Sequence, residues 1–373
     1  MNHPSSPSSR REFLRLLALG TATVAAGRPL KTYAESLEKN RGRKLGVALL
    51  GLGRYSTNEL GPALRETKLC RLAGVISGHP AKLAQWAKDY DLPQKNLYRY
   101  EDLEHIADNP EIDIIYVVTP PALHPEFAIR AAKAGKHVIS EKPMATSVAD
   151  CDAMMAACRD AKVKLSLGYR LHFDPYHKEL MRLARERDFG AFTKMTGDRG
   201  FIMKERAWRV DKKLAGGGPM MDLGIYIIQG ACMAAQAAPV AVTAHEEPKT
   251  RPELFNEVEE TIRWTMEFPD GAECNAVCSF SHQADYFRAE GARGWIEFKQ
   301  HAFTYKGIVA ATSRGPLTFT PPFQQALQMD DFADCIVSGR DTPVPGEMGR
   351  RDIAIIEAVY EAARTGKRVA VKV

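Results

Sequence analysis

The sequence predicts two packed parts: an N-terminal α/β domain on a doubly wound parallel sheet, and a C-terminal α+β domain on a large, mainly antiparallel open sheet. Three observations predict this. From Lys44 short, wholly apolar runs alternate with helical periodicity, as buried parallel strands joined by crossover helices require. Past about Tyr169 apolar residues recur with period two between turn residues, as in antiparallel strands with one face packed. The 373 residues, 45% hydrophobic and 26% charged, suffice for two cores and exclude disorder, a collagen-like fibre or a disulfide-stapled miniprotein.

In chain order, residues 1–34 read as an address. Arg10-Arg11 is followed by Phe13, Leu14 and an apolar stretch from Leu16 to Ala26, too short for a permanent membrane anchor, with Arg28 and Lys31 beyond it. This is the pattern of a twin-arginine export signal, cleaved after Ala25, Ala26 or Ala34, which predicts the twin-arginine machinery as a partner and the periplasm as the destination. The formal net charge of +5 is too thinly spread to argue for nucleic acid or a membrane surface. The leader holds five basic residues and one acidic, so removal after Ala34 leaves +1 and removal after Ala26 leaves +3. Seven cysteines lie mostly in apolar stretches with no metal-ligand spacing, so they read as reduced core residues, and no metal is expected.

Residues 35–168 read as the first domain. Strands are expected at Leu45 to Leu50, up to Ser77, at Ile112 to Val118, at His137 to Ser140 and close to Gly168, with helices to about Arg65, at Pro80 to Tyr90, Glu126 to Ala134 and Val148 to Asp160. Residues 169–373 read as the second domain, with strands in AVTAHEE, ETIRWTMEF, AECNAVCSFS, YFRAEG and GWIEF. Its last helices, Gln324 to Val337 and Met348 to Arg364, are expected to pack back on the first domain.

Gly51-Leu52-Gly53 joins the first strand to its helix where a dinucleotide-binding (Rossmann) turn is needed. The first glycine allows the tight turn and the second lets a pyrophosphate approach backbone N–H groups; the third fingerprint position is Ser56. The second strand ends in Ser77-Gly78-His79 without an acid for a ribose 2′-hydroxyl, and Ser77 with Lys82 suits a 2′-phosphate instead. The cofactor expected is therefore NADP. At later carboxyl ends of strands stand TPPALH (Thr119 to His124) and Glu141-Lys142-Pro143, where such a sheet places its ligands. AGGGPMMDLGIY (Ala215 to Tyr226) sets Asp222 and Tyr226 four residues apart on one helical face.

The combination GLG, EKP, GYR (Gly168 to Arg170) and GGGxxxDxGxY closely resembles the GFO/IDH/MocA oxidoreductases, and within them the branch of glucose-fructose and periplasmic aldose-aldose oxidoreductases. The resemblance runs from about residue 44 to the end. It implies that Gly51, Leu52, Gly53, Arg54, Tyr55, Ser77, Gly78, Lys82 and Tyr100 hold the adenosine and phosphate half of a tightly bound, non-dissociating NADP. Thr119, Pro120, Leu123, His124, Glu141, Lys142, Arg170 and Tyr226 then line the path to the nicotinamide, Trp208 and Arg209 close over it, and Tyr305 touches it. It also implies that the Lys142–Pro143 bond is cis, as is common in the family.

Many members carry His where this chain has Tyr226. A tyrosine, ordinarily titrating at about 10, exchanges protons near neutrality only if a cation stabilises its phenolate. The expected chemistry has Tyr226 accept the proton of a sugar C1 hydroxyl as hydride passes to the nicotinamide, and return it to the carbonyl of a second sugar. Lys142 would lower the tyrosine and orient the hydroxyl, Asp222 would bind the sugar or Lys142, and Arg170 and His172 would contact sugar hydroxyls. The activity implied is oxidation of an aldose to its lactone coupled to reduction of another aldose or a ketose to an alditol. Alternatives left open are a sugar dehydrogenase with dissociable NADP, an exported NAD-dependent glycosidase of the same fold, and a catalytically silent nucleotide-sensing module. Little sequence separates the leader from the first strand, leaving no room for the long arm with which glucose-fructose oxidoreductase embraces its partners. A homodimer through the open sheet face, expected to expose apolar side chains, follows.

Overall fold

The computed structural model describes residues 42–320 and 323–373; the leader read at residues 1–34 lies outside them. Strands β1 (Leu45–Leu50), β2 (Cys70–Ile76), β3 (Leu97–Tyr98), β4 (Ile114–Val117), β5 (His137–Ser140) and β6 (Leu165–Leu167) form a parallel sheet in the order β3-β2-β1-β4-β5-β6. Every residue of β1 and β4 is buried, which is why both read as unbroken apolar runs. Only the two-residue β3 escaped the sequence pattern, being too short to show a period. The crossover helices are α1 (Gly61–Glu66), entered through a π turn at Ser56–Leu60, α2 (Pro80–Tyr90), α3 (His124–Lys133) and α4 (Val148–Asp160). Local chemistry fixes their ends: Pro80 opens α2 and left-handed Asp91 closes it, while the Ser147 hydroxyl caps α4 by accepting from the Asp150 N–H. Strand order reverses between β1 and β4, so the crevice for a ligand opens beyond their carboxyl ends.

The second part begins with α5 (Pro175–Glu186), capped by the Asp174 carboxylate, then β7 (Phe192–Gly200), α6 (Lys212–Ala215) and α7 (Ile225–Ala235), buried from Ile225 to Ala234. Strands β8 (Ala241–Glu246), β9 (Thr261–Glu267), β10 (Glu273–Ser279), β11 (Ala284–Gly291), β12 (Gly294–Gln300), β13 (Val309–Thr312) and β14 (Gly315–Leu317) follow, then α8 (Gln324–Ser338), α9 (Gly346–Thr365) and β15 (Val369–Ala370). The nine-stranded sheet runs β14-β13-β12-β11-β7-β10-β9-β8-β15 and is antiparallel apart from the β7–β10 pair. Its central strand β7 went unread because FTKMTGDRG lacks alternation. Gly197 interrupts it where a Cβ would stand 2.4 Å from Ile227, so the glycine lets α7 lie close against the sheet.

Helix α8 packs on the first sheet: Met329, Phe332 and Ile336 share a core with Leu45, Val47 and Ile139. The seven cysteines are free and buried. The outer face of the large sheet differs from expectation, since it presents Thr243, Arg263, Thr265 and Asn275, and Arg288 lies 4.5 Å over the Trp295 ring while pairing with Glu290 and Glu297. Trp295 and the half-exposed Val309 also lie on this sheet, so its outer surface is mixed polar and apolar.

Candidate active site

The turn after β1 is built as a phosphate cradle. Gly51 has φ +99°, and a Cβ on it would stand 2.7 Å from the Val118 carbonyl oxygen, whereas a Cβ on Gly53 would meet nothing within 4 Å. The first glycine is thus demanded by the turn and the second leaves open space over backbone N–H groups. Ser56, in place of the third glycine, is fully buried and donates from Oγ to the Gly51 carbonyl at 2.6 Å, closing the turn on itself. Leu52 is buried beneath the turn and Arg54 is exposed beside it. At the end of β2, Ser77 Oγ accepts from the His79 N–H at 3.2 Å, Gly78 lies against the Tyr100 ring, and Lys82 stands exposed on α2.

The chemical groups meet in a cavity of about 690 Å³, part of it open to solvent, at the β1/β4 crevice. It brings together Tyr55, Thr119, Glu141, Lys142, Trp208, Arg209, Asp222, Tyr226 and Tyr305 from the sequence expectation, and adds Met221 and the backbone of Gly217 and Gly218. Lys142, followed by a cis bond to Pro143, donates from Nζ to the Asp222 carbonyl at 2.9 Å and to Asp222 Oδ1 at 3.1 Å. Arg209 donates from Nε to Asp222 Oδ2 at 2.8 Å. Asp222 therefore pairs with two cations, Lys142 being one of its two expected partners. Burial alone would raise its carboxyl, but Lys142 and Arg209 outweigh that and hold it well below the usual range. Burial works against the Lys142 ammonium too, yet Tyr226, Asp222 and Glu141 together raise it.

Lys142 Nζ lies 4.7 Å from the Tyr226 ring centroid, with the guanidinium carbons of Arg199 at 4.2 Å and Arg170 at 5.2 Å. Burial pushes the phenol up, and these three cations more than offset it, so Tyr226 titrates below its ordinary value of 10.0. Asp222 and Tyr226 come together across a π turn at Met220–Gly224 rather than a regular α turn. The glycines before it have a cause. A Cβ on Gly217 would stand 1.9 Å from the Tyr360 hydroxyl, and one on Gly218 2.5 Å from the Glu259 carbonyl oxygen. Glu259 accepts from the N–H groups of Gly218 at 3.0 Å and Met220 at 2.9 Å, and from the Tyr360 hydroxyl at 2.9 Å, placing a carboxylate at the N-terminus of this helical segment.

The geometry places several of the expected site residues off the cavity lining. Arg170 is buried and donates to the Thr304 carbonyl at 3.1 Å, to Gln324 Oε1 at 2.7 Å and to the Phe303 carbonyl, so it braces the loop bearing Tyr305 from behind the cavity. His172 lies outside the cavity with its ring stacked on Tyr169 at 6.5 Å, and burial pushes its imidazole down to about 3. Fully buried His124 has its ring nitrogens 2.9 Å from the Pro143 carbonyl oxygen and 2.8 Å from that of Thr119, so it ties two loops together behind the cavity. Pro120 and Leu123 belong to the same braced loop and do not line the cavity.

Sequence reasoning missed Arg199, Glu259, Tyr360 and the chain behind Glu141. There Gln328 donates to the Tyr116 hydroxyl at 2.8 Å, and that hydroxyl donates to Glu141 Oε1 at 2.6 Å. Burial raises the Glu141 carboxyl against these bonds and the nearby Lys142. A glycine at 168 is required because a Cβ there would stand 2.4 Å from Glu141 Oε1.

The residues present fit a nicotinamide dinucleotide: an open phosphate cradle, a cavity beyond it, and inside the cavity a buried Thr119 hydroxyl without a partner among the described residues. Fold and site define an NAD(P)-dependent oxidoreductase. Residues 45–169 match the model of the oxidoreductase family with an NAD-binding Rossmann fold, GFO_IDH_MocA, and residues 177–297 match the GFO/IDH/MocA C-terminal domain. The chain belongs to the GFO/IDH/MocA oxidoreductases. It is 41% identical to the aldose-aldose oxidoreductase of Caulobacter crescentus, whose crystal structure with glycerol superposes at a TM-score of 0.86 over 88% of this chain and 100% of that one. It is 27% identical to the D-xylose 1-dehydrogenase [NADP(+)] of Haloarcula marismortui, over 86% of this chain and 92% of that protein. Levoglucosan dehydrogenase in complex with NADH and levoglucosan shares the fold at 21% identity, TM-score 0.75, over 89% of this chain and 100% of that one.

The two glycine environments predict opposite phenotypes. Gly218→Ala should lower unfolding stability in denaturant titrations by about 1–3 kcal/mol, because the Glu259 backbone must move. Gly53→Ala should leave stability within about 0.5 kcal/mol yet weaken nucleotide binding, read by calorimetry.

Proposed function

We propose that the protein is a sugar oxidoreductase that keeps NADP(H) tightly bound while it oxidises an aldose at C1 to the lactone and then reduces a second aldose or a ketose to the alditol. The observation that carries the reading is Tyr226, buried among Lys142, Arg170 and Arg199 in a cavity opening from the nucleotide cradle. Similarity to the aldose-aldose oxidoreductase across 88% of the chain supports the substrate class. Ser77 and Lys82 at the end of β2, with no acidic residue there, support NADP, as does similarity to an NADP(+)-dependent xylose dehydrogenase.

The nicotinamide, when bound, supplies the hydride acceptor for the first sugar and the donor for the second. Tyr226 does the proton work: its phenolate takes the proton of the C1 hydroxyl as the C1–H bond is lost, and the resulting phenol returns it to the carbonyl oxygen of the acceptor sugar. Lys142 is fixed by Asp222 beside the phenolate and orients the reacting oxygen. Trp208, with Arg209 stacked 4.6 Å over it, forms a cavity wall that shields the reacting atoms from water.

The decisive experiment is an absorbance spectrum of extensively dialysed protein before and after single sugars are added. The expected result is nucleotide that survives dialysis, becomes reduced with one sugar and is reoxidised by another. Protein that emerges without nucleotide and needs added NADP for turnover overturns the proposal in favour of a dehydrogenase with dissociable cofactor. In single-turnover assays Tyr226→Phe should slow hydride transfer by about 10²–10⁴-fold with the nucleotide still bound. Undiminished transfer would remove Tyr226 from the mechanism.

The twin-arginine pattern at Arg10-Arg11 supports a periplasmic location for this enzyme. Replacing both arginines with lysine should leave the full-length chain in the cytoplasm on cell fractionation, whereas unchanged export would refute the twin-arginine assignment.

A further inference from the structure

The cation nearest the Tyr226 ring is Arg199, which no sequence motif marks. It is the penultimate residue of β7, and its guanidinium carbon lies 4.2 Å from the Tyr226 centroid and 5.3 Å from that of Phe303. The strand register sets it opposite Asp285 of β11, whose Oδ1 accepts from Arg199 Nη1 at 3.2 Å. The same Oδ1 accepts from the Phe303 N–H at 3.0 Å, and the Asp285 carbonyl accepts from the Ala302 N–H at 3.2 Å. One carboxylate thus anchors both the arginine and the backbone of the loop that carries Tyr305 into the cavity. Arg199 itself does not line the cavity. Its side chain is 13% exposed and that of Asp285 10%, so the pair is largely withdrawn from water. Desolvating a charged pair is costly, and an apolar residue could fill the space against Tyr226 and Phe303 more cheaply. A guanidinium in that position calls for a use of its charge.

We propose that Arg199, held by Asp285, is a positioning residue for Tyr226: its fixed positive charge stabilises the phenolate without touching sugar or nucleotide. The inference deepens the proposed role of Tyr226 and rests on it. The groups around Tyr226 from each neighbouring element leave Arg199 a distinct part. Lys142 follows β5, Arg170 follows β6 and Arg209 lies on the segment before α6, while Glu141, Tyr116 and Tyr305 are its acidic and phenolic neighbours. Asp222 is engaged by Lys142 and Arg209, and Asp285 by Arg199. Lys142 also has the reacting oxygen to orient, and Arg170 acts on Tyr226 as well while it braces the Phe303 and Thr304 carbonyls, so Arg199 adds to these two cations from the opposite sheet. Arg199 faces the ring with its guanidinium carbon 4.2 Å from the centroid while its carboxylate partner lies on β11, away from the cavity lining.

The test is the pH profile of sugar oxidation in single turnovers of the holoenzyme, followed by the absorbance of bound reduced nucleotide. The phenolate is the active base in this direction, so the rate rises with pH to a plateau, and removing a cation moves the rising limb to higher pH. Arg199→Met and Arg199→Gln are expected to move it up by about one pH unit, roughly a tenfold loss of rate below the limb with the plateau retained. Arg199→Lys is expected to restore the wild-type limb. The glutamine variant keeps a hydrogen bond to Asp285, so it serves where methionine disturbs folding. A neutral variant whose plateau falls while its limb stays in place would show that Arg199 only packs, and would overturn the inference. Tyr226→Phe separates the two layers. If it transfers hydride at the wild-type rate, the assignment of Tyr226 fails; if it is inactive and the neutral Arg199 variants keep the wild-type limb, only the role of Arg199 fails.

Discussion

The site depends on one carboxylate shared by two cations. Asp222 takes Lys142 on Oδ1 and Arg209 on Oδ2, and its carbonyl takes Lys142 again. Lys142 comes from the parallel sheet, Asp222 from the π turn beneath the large sheet and Arg209 from the segment between β7 and α6, so this cluster joins the nucleotide-binding part to the part that closes the cavity. Leaving one member of a buried ion pair without its partner costs about 3–5 kcal/mol. An unpaired Lys142 would avoid that cost by shedding its proton, and the tyrosine beside it would then lose a cation. The protonation of Tyr226 is thus tied to whether the two parts of the chain are in register.

That register is enforced from outside the cavity. Glu259 holds the Gly217–Met220 backbone with two hydrogen bonds and is itself held by a third from the Tyr360 hydroxyl, and each glycine in that run removes a Cβ that would collide with one of these two residues. On the opposite side Gln328 and Tyr116 fix Glu141, and His124 ties Thr119 to Pro143. Gln328 belongs to α8 and Tyr360 to α9, so the two C-terminal helices are where the second part of the chain returns to support both walls of the cavity. Their apolar faces supply the burial energy and their few polar side chains supply the aim.

What could be read from the sequence follows the range of the interactions. The phosphate turn, Glu141-Lys142-Pro143 and the run from Gly216 to Tyr226 are contiguous, and each carries its own reason: a turn only glycine makes, a strand end at a ligand crevice, two polar residues one turn apart. Gln328 and Tyr116 meet across 212 positions, Arg170 and Thr304 across 134, and Arg199 and Asp285 across 86. No spacing rule connects such pairs. The acceptors of Arg170, main-chain carbonyls of a distant loop, are hidden for the same reason when Gly168-Tyr169-Arg170 is read alone. Arg199 was hidden because β7 is broken by Gly197 and Gly200, so the strand that points it at Tyr226 has no alternation to announce it.

Tyrosine at position 226 suits an enzyme that must run the same proton transfer in both directions. A group far more acidic than its surroundings would hold the proton too weakly for the reducing direction, and one far more basic would not release it for the oxidising one, so the useful range lies near the working pH. Phenol begins well above that range, and burial raises it further. Only the sum of several cations can bring it back, which explains why a cavity proposed for uncharged sugars is surrounded by Lys142, Arg170, Arg199 and Arg209. Most of that charge is directed at protein groups: Asp285 pairs with Arg199, Asp222 with Lys142 and Arg209, and backbone carbonyls with Arg170. The ligand space itself thereby stays close to neutral. In the proposed reaction the cations act on the tyrosine, and the sugar is left to be recognised by shape and hydrogen bonds.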